Sequence, residues 1–239
     1  MKIIADTHTH TIASTHAYST AQEMINAAAN RGLYAIALTD HGYAMPGSPG
    51  KWFFESLGAI PPVFNDVRVL KGVEANVVDL DGTLDMKDSV LSGLEWVVAS
   101  IHGGLCKGNP TVESVTNAYL RLAKNPYVKV IGHSGTPKYK YDYEKVIPVF
   151  AQNGKLVEIN NNTFNFRKSS CKNCVEIAKV CKRVGVSVIV NSDAHFSSRV
   201  GVVDNALEML REIDFPEELI INSDESRFKE YLQKNGVSL

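Results

Sequence analysis

The chain has 239 residues, of which 44% are hydrophobic and 21% charged, a composition that excludes a disordered or fibrous protein. Its 25 basic and 26 acidic residues give a formal net charge of -1, so no global basic surface points to nucleic acid or an anionic membrane as a partner. We expect a single domain over residues 1–239, since one barrel of about 250 residues is common.

Seven short apolar runs alternate with amphipathic stretches along the whole chain. The runs predict buried parallel strands at residues 2–5, 35–38, 68–73, 96–100, 129–131, 155–159 and 187–190. Helical periodicity predicts helices at residues 20–30, 112–124, 143–152, 171–184, 205–213 and 225–234, and a short extra strand is possible at 218–221. Several helices end at a glycine that suits a left-handed cap, namely Gly32, Gly154 and Gly185. This alternation predicts βαβ units and an α/β fold with a largely parallel sheet.

One long irregular segment interrupts the pattern at residues 42–66. It contains four prolines together with Trp52, Phe53 and Phe54. A loop of this length in a compact domain is usually functional or mobile, which predicts a wall or lid over one end of the sheet. The alternative, of equal weight, is that its aromatic residues pack an insertion onto the outside of the domain.

No targeting or membrane segment is expected. The first six residues become polar too soon for a signal-peptide core, and no later run approaches 18 apolar residues. We therefore expect a cytoplasmic protein with no membrane partner. The Cys171-x-x-Cys174 motif has no second such pair to complete a zinc site, so it favours free thiols over a zinc or redox role.

The placement of the histidines is the strongest signal for function. Six of the seven fall at or just after the end of a predicted strand, and His16 lies in the loop after the first one. Glu74 and Asp193 occupy similar places. Ligands bind outside the carboxyl ends of parallel strands, so these residues are expected to converge there. Imidazoles and carboxylates together are typical ligands of Zn, Fe, Mn or Co.

These residues also carry a family resemblance. Asp6-Thr7-His8-Thr9-His10, His16, Thr39-Asp40-His41-Gly42, Gly72-Val73-Glu74, Ser100-Ile101-His102, Gly132-His133 and Ser192-Asp193-Ala194-His195 resemble, in order, the successive motifs of the PHP family, the polymerase and histidinol phosphatase metallo-hydrolases. The resemblance extends from Met1 to about Gly201. It implies a distorted seven-stranded (β/α) barrel with a trinuclear metal centre, closest in length to the small stand-alone phosphatases of the family.

The resemblance implies a set of ligands for each of the three ions. The first ion would be held by His8, His10, Glu74 and Asp193, the second by Glu74, His102 and His133, and the third by His16, His41 and His195. Glu74 would then bridge two ions, which suits a carboxylate with two oxygens. Asp6 and Asp40 precede ligand segments and are expected either to orient imidazoles or to cap loops. Zn²⁺ is the first expectation, with Mn²⁺ or Fe²⁺ as alternatives.

A centre of this kind suits phosphate monoesters. Three divalent ions would make the pocket electropositive and lower the pKa of bound water toward about 7, so that metal-bound hydroxide attacks phosphorus. Glu74 and Asp193 are therefore predicted to take part in catalysis. Among the cations near strand ends, Lys138, Arg167, Lys168 and Arg199, the preferred phosphate contact is Arg167, because its guanidinium can bind phosphate in a bidentate manner.

Other functions stay open at this point. A phosphodiesterase or exonuclease of the same family is the closest alternative, although no aromatic and basic track for single-stranded DNA is present. A metal-dependent hydrolase of amide or ring bonds and a non-catalytic metal-binding module are further alternatives. The preferred partner is a small phosphorylated substrate, with no nucleic acid, and no surface stripe predicts an oligomeric state.

Overall fold

Seven parallel strands form a nearly closed barrel, as predicted. The computed structural model describes residues 1–238. The strands are β1 (Ala5–Thr9), β2 (Ala35–Leu38), β3 (Val63–Phe64), β4 (Val67–Asn76), β5 (Trp96–Ser100), β6 (Val130–Ile131), β7 (Leu156–Asn160) and β8 (Val188–Asn191). Their order is β1-β2-β4-β5-β6-β7-β8, and the short β3 pairs antiparallel with β4.

Helices lie between successive strands and after β8. They are α1 (Ala21–Asn30), α2 (Lys51–Glu55), α3 (Asp88–Leu91), α4 (Val112–Ala123), α5 (Tyr143–Gln152), α6 (Asn162–Asn165), α7 (Cys171–Val184), α8 (Asp204–Glu212) and α9 (Glu225–Lys234). Thr20 and Glu23 form a capping box at the start of α1. Gly185 ends α7 in the left-handed conformation expected of it, with φ of 69°. No helix within residues 1–238 is long and apolar enough to cross a membrane.

The barrel is closed between β1 and β8 by side chains as well as by backbone contacts. The backbones meet at one parallel bridge, between Thr9 and Ala194. Below it, the buried Asn222 accepts a hydrogen bond from the Val190 N–H (3.0 Å) and donates to the Ala5 carbonyl (2.7 Å) and the Val190 carbonyl (2.6 Å). The Asn222 amide thus stands in for a strand at this seam. The segment predicted as a possible strand forms 3₁₀ turns instead, with one bridge between Val188 and Ile220.

Two apolar cores stabilise the barrel on its inside and its outside. The inner core contains side chains from the first residues of several strands, including Ala35 and Trp96, and it is covered by Phe228 and Leu232 of α9. The ring centroids of Trp96 and Phe228 are 6.1 Å apart. The outer core lies between the strands and the surrounding helices. Because α9 fills the amino-terminal end, only the carboxyl end is left for a site.

The first strand differs most from its prediction. It extends over Ala5–Thr9 rather than residues 2–5, so His8 lies inside the strand and not after it. The polar side chains of this strand are buried but paired: the Thr7 hydroxyl donates to Asn191 Oδ1 (2.9 Å) and the Thr9 hydroxyl to the Ala37 carbonyl (2.7 Å). Pairing of this kind lets a buried strand carry polar residues at little cost.

The segment 42–66 packs largely on the outside of the barrel. It contains α2, a 3₁₀ turn and β3, and Phe54 and Leu57 belong to the outer core. Only its beginning approaches the site, where the Thr15 hydroxyl donates to the Pro46 carbonyl (2.5 Å). Outside packing is therefore the alternative that fits these contacts. The four cysteines are free thiols, as expected.

Candidate metal centre

All seven histidines lie in one cluster at the carboxyl end of the barrel. Neighbouring ring centroids in this cluster are 4.3 to 5.9 Å apart, and every histidine has at least one such neighbour. The rings come from the ends of five strands or from the loops that follow them. Residues separated by nearly 190 positions in sequence are thus brought together, as the pattern of strand ends predicted.

Glu74 lies at the centre of this cluster, buried within β4. Its Oε1 is 2.8 Å from His133 Nε2, 3.3 Å from His8 Nε2 and 3.4 Å from His102 Nε2. Its Oε2 is 2.8 Å from His41 Nδ1 and 3.5 Å from His10 Nε2. The two oxygens therefore face two different groups of imidazoles, which is the arrangement that a bridging carboxylate requires.

Several donor atoms in the cluster are buried without a partner. His8 Nε2, His10 Nε2, His41 Nδ1 and Glu74 Oε2 are all buried and have no hydrogen bond with acceptable geometry, even where another polar atom lies close. Unpaired buried polar atoms are costly, and four of them directed into one cluster need an explanation. Divalent metal ions fit this donor set of imidazole nitrogens and carboxylate oxygens.

Asp193 is held in position from two sides. Its Oδ1 lies 3.2 Å from His10 Nε2 and 3.7 Å from His8 Nε2, while its Oδ2 accepts a hydrogen bond from Arg167. Its backbone has φ of 56°, a left-handed conformation that costs free energy in a residue other than glycine. The Asn162 side chain donates to the Asp193 carbonyl (2.7 Å), which helps to maintain this conformation.

The donors fall into three overlapping groups whose atoms lie within 4.8 Å of one another. They are His8, His10 and Asp193; His41, Glu74 and His102; and His10, His41 and His195. The first contains three of the four ligands predicted for the first ion. The second group contains His41 in place of the predicted His133. The third contains His10 in place of the predicted His16. His133 still contacts Glu74, and His16 Nε2 lies 3.3 Å from His41 Nε2.

Glu158 is a functional residue that the sequence analysis missed. It is buried in β7, and its Oε1 accepts a hydrogen bond from His8 Nδ1 (2.7 Å). Its Oε2 accepts from the His133 backbone N–H (2.8 Å). Carboxylates that bind the second nitrogen of an imidazole fix its tautomer, so Glu158 directs His8 Nε2 into the cluster. A charged residue in the middle of an apolar strand was the available signal.

The other polar neighbours orient single imidazoles or cap loops. Asn76 Oδ1 lies 2.7 Å from His102 Nδ1, and Asn76 is itself held by Asp85. Asp40 accepts from the Thr11 N–H and from the Ser14 hydroxyl, so it caps a loop and reaches His10 only through Ser14. Asp6 accepts from the backbone N–H groups of Ser192 and Gly201, which also makes it a loop cap.

The electrostatics of the cluster keep its carboxylates ionised. Burial raises the pKa of Glu74, but the nearby imidazoles of His102, His8 and His41 outweigh this effect and hold the pKa well below its ordinary value. Burial likewise raises the pKa of Asp193, and its neighbours His8 and Arg167 lower it further than burial raises it. Ionised carboxylates are the form that binds cations.

A cavity of about 400 Å³ opens beside this cluster. Its lining includes His16, Asp193 and His195 from the cluster, and also Arg167 and Arg199. Of the four cations considered from sequence, Lys138 and Lys168 are exposed and do not line this cavity. Arg167 Nη2 donates to Asp193 and Asn160, and the side chain is 30% exposed, so the guanidinium has further N–H donors for a ligand.

Several known proteins are similar to this chain in sequence. Residues 6–162 match the family described as PHP domain. A protein of Acetivibrio thermocellus named "Probable phosphatase" is 46% identical over 234 residues, covering 98% of this chain and 97% of that protein. A protein of Caldicellulosiruptor saccharolyticus with the same name is 40% identical over 239 residues, covering both chains completely.

A solved structure shares the fold. Histidinol phosphate phosphatase from Lactococcus lactis, in a complex with zinc, L-histidinol and phosphate, superposes with a TM-score of 0.62 at 17% identity. The match covers 100% of this chain and 95% of the other. At this identity the likeness establishes the barrel architecture.

Proposed function

Since the chain belongs to the PHP family and is a phosphatase of that family, we propose that it hydrolyses small phosphate monoesters at a centre of three divalent metal ions. One observation carries this proposal. Four buried donor atoms without partners, on His8, His10, His41 and Glu74, face one another beside an open cavity. Metal ions would satisfy these atoms and leave positions open toward the cavity.

We propose nine ligands for the three ions. They are His8, His10, His16, His41, Glu74, His102, His133, Asp193 and His195. Ions bound there would supply Lewis acidity and lower the pKa of bound water toward about 7. Zn²⁺ is the first choice of metal, since zinc accompanies the Lactococcus lactis protein of the same fold, and Mn²⁺ or Fe²⁺ suits the same donors.

The protein's own groups divide the remaining work. Glu74 holds two groups of imidazoles together and provides negative charge between them. Arg167 binds Asp193 through Nη2 and lines the cavity, which places a fixed positive charge beside the reacting group. Glu158 and Asn76 hold His8 and His102 in the required tautomer.

Hydrolysis of a panel of monoesters and diesters, with and without a chelator, tests the proposal; release of inorganic phosphate measures the monoesters, and release of the alcohol measures the diesters. We expect hydrolysis of monoesters, its loss after exhaustive chelation, and its recovery with Zn²⁺ or Mn²⁺. Diester hydrolysis at an equal rate would indicate a phosphodiesterase instead. Metal binding without any hydrolysis would indicate a non-catalytic metal-binding module.

A further inference from the structure

Three exposed aromatic side chains line the cavity beside the metal centre. Tyr18, Phe166 and Phe196 are 72%, 76% and 50% exposed. Trp52, the other large aromatic side chain exposed within residues 1–238, lies on α2 and does not line this cavity. Single exposed aromatic residues are common on protein surfaces, but three around one cavity of ligand size are typical of a binding site.

The segments that carry these rings are attached to the loop that carries the metal ligands. The Tyr18 N–H donates to the His195 carbonyl (2.9 Å), and the Ser197 N–H donates to the Ser19 hydroxyl (3.0 Å). In the segment that carries Phe166, the Phe166 N–H donates to the Asn162 carbonyl (2.9 Å), and the Asn162 side chain binds the loop at the Asp193 carbonyl. The aromatic walls therefore hold a fixed position relative to the metal centre.

The two arginines of the cavity differ in their partners. Arg167 is paired with Asp193. Arg199 is exposed, lines the same cavity, and has no side-chain hydrogen bond or ion pair to any part of the chain that the structure describes. Its guanidinium is thus a second positive charge, separate from the one next to the metal ligands. Aromatic faces together with an unpaired guanidinium suit a planar ring that carries an anionic group.

We propose that the substrate is a phosphate monoester whose alcohol carries a planar aromatic or heteroaromatic ring and a second anionic group. The ring lies against Tyr18, Phe166 and Phe196, and the second anion binds Arg199. Hydrolysis breaks the P–O bond to this alcohol and forms a P–O bond from water, and the alcohol leaves with a proton from that water. This proposal rests on the proposed function, because it assigns the leaving group at the same centre.

Inhibition by non-hydrolysable phosphonates tests the ring. Benzylphosphonate and cyclohexylmethylphosphonate have the same heavy-atom connectivity and charge, but only the first has a planar ring. In the metal-loaded protein we expect benzylphosphonate to inhibit glycerol phosphate hydrolysis roughly fivefold more strongly. Phe166→Leu should reduce this preference, whereas Trp52→Leu should preserve it. Equal inhibition by the two compounds, or a preference unchanged in Phe166→Leu, would overturn the assignment of the ring.

The second anion has a test of its own. In the native protein, 4-carboxybenzylphosphonate should inhibit roughly fivefold more strongly than benzylphosphonate, and Arg199→Gln should abolish the difference. Lys172→Gln removes an exposed charge on α7 and should leave the difference in inhibition unchanged. No gain from the carboxylate, or a gain that survives Arg199→Gln, would overturn this assignment. If either assignment is overturned while the native protein still hydrolyses glycerol phosphate, the proposed function stands. If the metal-loaded native protein hydrolyses no glycerol phosphate, the proposed function and the assignment of the leaving group have both failed.

Discussion

Replacing Glu74 by glutamine is the most informative single change in the metal centre. The amide keeps the size of the side chain and its hydrogen-bonding capacity but removes the negative charge. The two carboxylate oxygens of Glu74 lie 2.8 to 3.5 Å from nitrogen atoms of five imidazoles. The substitution therefore removes the anion that two groups of ligands share. We expect both the first and the second ion to be bound more weakly.

The size of the effect follows from the charge and its surroundings. Two unit charges 4 Å apart interact by about 4 kcal/mol at an effective dielectric constant of about 20. Loss of that interaction in the transition state corresponds to a decrease in kcat of about a thousandfold. Full burial of Glu74 prevents water from replacing the lost charge.

Two assays on the same preparation decide the outcome. Phosphate release under saturating substrate measures kcat, and elemental mass spectrometry measures the number of ions per chain. Glu144→Gln is a matched control, because Glu144 is exposed and pairs only with Arg183 at the surface. Full activity in Glu74→Gln, or a loss of activity equal to that of the control, would refute the bridging role.

Three further predictions concern other parts of the molecule. His16→Ala should remove at most one ion and raise KM for monoesters about tenfold with little change in kcat, because His16 contacts the cluster only at its edge. Steady-state kinetics and metal analysis measure these effects. Loss of all ions in this variant would refute the prediction. Burial lowers the pKa of His8, but Glu158 and the other carboxylates outweigh this effect and raise the pKa well above its ordinary value. Zinc binding at pH 7 should therefore release about one proton from His8. The affinity for zinc should increase with pH up to the raised pKa. In the metal-free protein the same shift stabilises the fold fully below pH of about 6.5 and is lost as pH rises through the raised pKa. Calorimetry in buffers of different ionisation enthalpy counts the protons, and a count of zero would contradict the assignment. Asn222→Ala should lower the free energy of unfolding by about 3 kcal/mol, since it leaves three buried backbone groups unpaired, whereas the exposed Asn153→Ala should change it by less than about 0.5 kcal/mol in urea denaturation.

The sequence was sufficient to predict the barrel and the residues at its carboxyl end. Apolar runs located six of the strands to within a few residues, because those strands are buried on both faces. The apolar runs did not give the correct bounds of β1, because polar side chains continue this strand beyond Ala5. Their partners, such as Asn191 for Thr7, lie 184 residues away, so local periodicity carries no trace of them.

The supporting residues of the site were harder to predict than its ligands. Histidines at strand ends form a pattern that can be read along the chain, whereas Glu158 falls inside a predicted strand and Asn76 lies three residues after one, with no pattern to single them out. Their roles depend on contacts with His8 and His102, which exist only once β7 and β4 take their places in the barrel. The closure of the barrel by Asn222 is also a tertiary contact that no local pattern indicates.

The number of ions bound to each chain tests the central claim most directly. Protein purified without chelators should contain two to three divalent ions per chain by elemental mass spectrometry, because nine donor side chains converge and four of their buried atoms have no other partner. One ion or none in undamaged protein would contradict a polynuclear centre.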